Sequence, residues 1–258
     1  MNRRIAAIAS NTFREAVRDR VLYNLIGFAI LMAGASILVG QISVDIEKLV
    51  VINLGLTAVS VFGVIIAIFI GIGLVSKEID KRTLYTVLSR PVQRWEFILG
   101  KFFGLAGTLA VNTVCMAVGV FLSLLYVAHH VVKDDASILV ALYFIVLQFM
   151  LITALTLLFS SFSSPLLAAM FAFALFVLGS FSADLHLLAG VTKGLNHWLV
   201  MTAVYVVPNI SALNVISSVA HGEPVAGKLI LANTVYALFY SAMVLSGAVL
   251  IFERRNLK

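Results

Sequence analysis

Six apolar runs dominate this chain, at about residues 21–40, 51–75, 102–128, 137–160, 165–183 and 229–252, and none of them contains Asp, Glu, Lys, Arg or His. A helix needs ~20 largely apolar residues to cross the hydrocarbon core of a bilayer. Inside lipid the backbone must satisfy its own N–H and C=O groups, so such runs are helical. The composition agrees: 62% of residues are hydrophobic and 12% charged, where a soluble domain carries about 25% charge. The expectation is an all-α integral membrane protein with six transmembrane helices, forming a single domain over residues 1–258.

Charge placement orients the spans. One side collects the N-terminal arginines (Arg3, Arg4, Arg14, Arg18, Arg20), the loop at 76–101 (Lys77, Lys81, Arg82, Arg90, Arg94, Lys101) and the tail (Arg254, Arg255, Lys258). The other side holds only Lys48, Lys133, Lys193 and Lys228. The positive-inside rule then puts both termini and the 76–101 loop in the cytoplasm. The net charge of +6 is read as membrane orientation and not as a nucleic-acid surface. Ionisable residues inside spans mark ion sites, proton relays and voltage sensors; without them an ion-coupled carrier is disfavoured, and energy for any transport has to come from elsewhere.

Between the spans, four features stand out. Ile5, Ile8, Ala9, Thr12, Phe13, Ala16 and Val17 fall on one helical face, with Arg3, Asn11, Arg14 and Arg18 elsewhere, which predicts an interfacial amphipathic helix over 1–20. Its early charges do not fit a signal peptide. The external segment 184–227 contains Trp198–Val207, too short to cross, then Pro208 and Asn209, then Ile210–Ala220; short external or re-entrant helices are expected, with Pro208 and Asn209 as an external gate. The histidines His129, His130, His186, His197 and His221 all fall outside but lack ligand spacing, so no metal site is expected. The lone Cys115 reads as a small buried hydrophobe. Uncharged polar residues inside the spans usually bridge helices. The exception proposed for pathway lining is the stripe Asn53, Thr57 and Ser60 at i, i+4, i+7.

The most patterned stretch is 76–101, SKEIDKRTLYTVLSRPVQRWEFILGK. A helix is predicted to continue out of span two through Glu78–Leu88. Pro91 disfavours helical geometry at Arg90, and a second helix starts near Val92–Arg94 and runs into span three. Leu84, Tyr85 and Leu88 lie near the bend, where they suit either a partner's groove or the membrane surface.

Glu78–Ile79–Asp80, Thr83–Leu84, Leu88–Ser89–Arg90–Pro91–Val92, Arg94–Trp95–Glu96–Phe97 and Gly100–Lys101 resemble the pattern of ABC type-2 exporter permeases across the whole loop. Pro208–Asn209 with Leu213–Asn214 further resembles the branch labelled as permeases for multicopper-enzyme maturation. The resemblance implies a cytoplasmic coupling helix between spans two and three and residence in the bacterial cytoplasmic (inner) membrane. It implies a homodimer of permeases bound to two copies of a cytosolic ATPase, with a periplasmic protein as a further candidate partner. Glu78, Arg82, Thr83, Leu84, Tyr85, Leu88, Arg90, Pro91 and Arg94 become the ATPase-coupling residues, with Glu78 set against Arg14 or Arg18. This chain has no G-x-x-x-x-G-K-[ST] loop; ATP and magnesium belong to the partner, and no cofactor or catalytic residue is expected here.

The expected function is export of an amphiphilic or hydrophobic cargo. Two other classes stay open. One is a non-transporting scaffold that couples an ATPase to a periplasmic partner. The other is a membrane-embedded lipid enzyme, for which Asp184 and His186 are neighbours without a third group.

Overall fold

The computed structural model describes residues 2–17, 22–42, 47–80, 93–128, 136–192 and 194–254. Among the described residues there is no strand. The helices are α1 (Asn2–Ala16), α2 (Leu22–Ile42), α3 (Glu47–Asp80), α4 (Arg94–Ala128), α5 (Ser137–Phe162), α6 (Pro165–Ser180), α7 (Ser182–Val191), α8 (Leu195–Val206), α9 (Ile216–Ala220) and α10 (Gly227–Arg254), with a 3-10 turn at Ser211–Leu213. α3, α4, α5 and α10 are long and apolar enough to cross a membrane. A fifth span exists if α6 and α7 count as one, but they meet at a 64° bend. Among the described residues, length and composition thus give four or five spans where six are expected from the sequence. α6 has only 16 residues, about 24 Å of helix, while α2 keeps 21 largely apolar residues over Leu22–Ile42.

α5 is the most enclosed of the four spans and α10 the least. α5 packs against α3 on one side and α10 on the other, and α4 closes the bundle against α3 and α2. Leu105 and Leu109 of α4, Leu56 and Val59 of α3 and Ile145, Leu151 and Ile152 of α5 are buried together in the common core. The outer surface is itself apolar: Val114, Val118 and Leu122 of α4, and Phe239 and Met243 of α10, are exposed. That inversion suits lipid or another apolar partner as the surroundings, not water. Cys115 lies on this outer face of α4, exposed instead of buried as its apolar context suggested.

The two helices flanking the patterned loop are continuous. α3 runs 34 residues to Asp80 and α4 runs 35 residues from Arg94. Each is about 50 Å long, roughly 20 Å more than the hydrocarbon core. The restart at Arg94 follows Pro91 as expected.

Candidate functional site

The start of α4, the apolar face of α1 and the end of α10 converge at one end of the bundle. Among the described residues this end carries Arg3, Arg4, Arg14, Arg94 and Lys101. α1 reaches it through small residues on α4: a Cβ added at Gly100 would sit 2.5 Å from Ile8 Cγ2, and one at Gly104 would sit 2.5 Å from Thr12 Cβ and 2.7 Å from the Ala9 carbonyl oxygen. Only glycine at these two positions, four apart, lets the helices approach this closely. Thr12 and Ala16 are fully buried as a result. The face predicted from Ile5, Ile8, Ala9, Thr12, Phe13 and Ala16 is thus the buried one, and α4 is what covers it; Val17 stays exposed.

Charged side chains hold the junction. Glu96, 3% exposed, caps the first turn of its own helix by accepting from the Gln93 backbone N–H at 3.0 Å, half of a capping box. The same carboxylate oxygen lies 3.9 Å from Arg4 Nη1 on α1. Lys101, 2% exposed, places its Nζ 3.8 Å from Glu15 Oε2 of α1 and 5.5 Å from the centre of the Phe97 ring. Arg94 reaches the third helix: its Nη1 donates to the carbonyls of Phe252 (2.9 Å) and Glu253 (2.8 Å). These are orphan acceptors at the negative end of α10, where a guanidinium is favoured. Phe97 stacks on Phe252 beneath it, with ring centroids 5.9 Å apart.

Of the residues assigned to coupling, Arg82, Thr83, Leu84, Tyr85, Leu88, Arg90 and Pro91 lie outside the described residues, as does Arg18. Glu78 falls in the last turn of α3. Arg94 is the one whose side chain is seen, and it faces α10. Glu96 and Lys101 were missed as site residues. The signal was available in the capping-box position of Glu96 and in a lysine at the very edge of an apolar run.

At the opposite end, Asn209 is a hub. Its Oδ1 accepts from Ser182 Oγ (2.7 Å), Ser211 Oγ (3.0 Å) and the Ala212 N–H (3.1 Å), and its own N–H donates to the Tyr236 hydroxyl at 2.7 Å. Asn233 of α10 donates to the Ala212 carbonyl at 2.6 Å. The bend between α6 and α7 forms here: the Ile210 N–H takes the Gly179 carbonyl at 3.1 Å, and a Cβ at Gly179 would lie 2.6 Å from the Pro208 carbonyl oxygen. Pro208 is buried and Asn209 half-buried. His197 Nδ1 donates to the Ala189 carbonyl and His221 Nδ1 to the Ser217 carbonyl. Among the described residues no three His, Cys, Asp or Glu side chains gather closely enough to hold a metal ion.

The span-two stripe divides. Ser60, buried, accepts from Gln148 Nε2 of α5 at 3.0 Å, a bridge within the bundle. Thr57 donates to Asn53 Oδ1 at 3.5 Å on the exposed side.

These features describe a bundle of long apolar helices, with two of its rods extended toward a patterned loop and its flank braced by buried charge. Over residues 6–257 the sequence also matches the family model described as ABC-2 family transporter protein. No individual curated protein is a match to the chain. Nearly the whole chain is covered by that family model, and the chain accordingly belongs to the ABC-2 transporter family, as a multi-pass membrane permease subunit whose family works with an ATPase partner.

Proposed function

We propose that this permease is an exporter of amphiphilic or hydrophobic cargo, working as a homodimer in the bacterial inner membrane. Each copy would cross six times, with α2 and the α6–α7 pair as the further spans and both termini in the cytoplasm. ATP and magnesium are bound by two copies of a separate cytosolic ATPase, which docks on the 76–101 segment through Leu84, Tyr85 and Leu88. The observation that carries this reading is mechanical. α3 and α4 run without a break from the bundle core to the two sides of that segment, and the start of α4 is joined to α1 by Glu96 and Lys101 and to α10 by Arg94. A push on the segment is then passed to three helices together and is not absorbed at a hinge. The absence of charge from the apolar runs supports a cargo that is not an ion. Asn53, half-buried, and Thr57, exposed on α3, are the polar pair proposed to meet it, and the Pro208–Asn209 hub is the proposed outer gate. The branch resemblance to multicopper-maturation permeases adds nothing to this cargo assignment, since no metal-ligating set gathers among the described residues.

Co-purification with the candidate ATP-binding subunit tests the reading. Wild type is expected to bring down an active ATPase, and Leu84→Glu to lose at least tenfold of that activity while remaining folded. A well-folded wild type that binds no ATPase overturns it.

A further inference from the structure

A groove of about 690 Å³ runs between the start of α4, the middle of α5 and the C-terminal half of α10. Leu238, Leu245, Val249 and Glu253 mark its course along one face of α10, with Trp95 opposite Glu253 at the basic end. From Leu238 to Glu253 is about 22 Å at 1.5 Å per residue. One leaflet contributes ~15 Å of hydrocarbon, so the groove covers the depth of a leaflet and opens at the level of its headgroups.

Size decides the kind of occupant. At about 30 Å³ per non-hydrogen atom the volume takes on the order of twenty atoms, which is one long alkyl chain and a small head. Two polar features break the apolar lining. Glu253 is the one charged side chain among the lining residues described. Ser241, 3% exposed, lines the groove, yet its hydroxyl has no hydrogen-bond partner. Ser246, also in the lining, instead donates to its own helix at the Ala242 carbonyl. A change of rotamer at Ser241 offers its donor to the groove.

We infer that this groove binds a single-chain amphiphile bearing an amine, its head at Glu253 and its chain along α10, with Ser241 ready for an oxygen near the chain's far end. The inference does not rest on ATPase docking, because binding needs only the permease. Of the chain's two tryptophans, Trp198 is changed to Phe, leaving Trp95 as the reporter in the groove. The full chain in phosphatidylcholine vesicles is titrated with hexadecylamine, hexadecanoate and ω-hydroxylated hexadecylamine. Saturable change in Trp95 emission is expected, with the amine about tenfold tighter than the carboxylate. Glu253→Gln removes that preference. The hydroxylated amine binds about threefold tighter again, and Ser241→Ala erases only this gain. Ala242→Phe and Ser246→Phe, both at exposed groove positions, each abolish saturation. A linear response unchanged by either plug means ordinary boundary lipid and overturns the site; equal affinity for amine and carboxylate overturns its chemistry.

Discussion

α10 is tied to the rest of the bundle at both ends, by different chemistry. At its C-terminal end the tie is charge: the Arg94 guanidinium on two backbone carbonyls, flanked by buried Glu96 and Lys101. At its N-terminal third the ties are neutral: Tyr236 and Asn233 meet the Asn209 hub through hydroxyl, amide and carbonyl groups. Buried charges are costly to desolvate and fail abruptly when a partner is lost. Neutral hydrogen bonds contribute about 1 kcal/mol each and can be lost one at a time. The basic end is therefore a single braced unit of α1, α4 and α10, whereas the opposite end is a set of separable ties that can open locally.

Substitutions at three positions bear on this contrast. The largest effect is expected from Glu96→Ala, which removes the α4 cap and the Arg4 partner together; a loss of about 3 kcal/mol should appear in unfolding in mixed micelles, with α1 newly open to protease. Glu96→Gln keeps an acceptor for the Gln93 N–H and is expected to recover about half. Next is Gly104→Ala, whose new Cβ meets the Ala9 carbonyl oxygen, an atom that moves only with its helix. About 2 kcal/mol is expected, with the same protease signature; retention of a protected α1 would show that close approach is not what holds it. The smallest is Asn209→Ala, which deprives three donors of one shared acceptor. Here about 1.5 kcal/mol is expected, with hydrogen exchange rising in α7 and around Ser211 but not in α1. If Asn209→Ala proves as damaging as Glu96→Ala, or loosens α1 as well, the two ends are not mechanically distinct.

Local patterns were the legible part. Pro91 forecast the restart at Arg94, the spacing from Ile5 to Ala16 forecast the buried face of α1, and Pro208 forecast the end of α8. What each face would meet was not legible. α1 reads as a helix for the membrane surface, but Gly100 and Gly104 of α4 accept it, because close approach depends on two small residues nearly a hundred positions away. Arg94 reads as one more loop cation, but its donors go to α10, 158 residues on. Asn209 reads from the sequence only as part of an external gate; its bonds to Ser211 and Ala212 are local, but Ser182 and Tyr236 come from 27 residues away on either side.

The sequence by itself determined that this chain is helical and belongs in a membrane, because uncharged runs of some twenty residues leave the backbone no other way to satisfy its polar groups in lipid. It also determined which end carries the positive charge. Only the tertiary structure decided how the helices are joined there. Buried Glu96 and Lys101 are tolerable only where a capping N–H, a paired carboxylate or an aromatic ring is already in place, and those partners are brought together by packing and not by proximity in the chain.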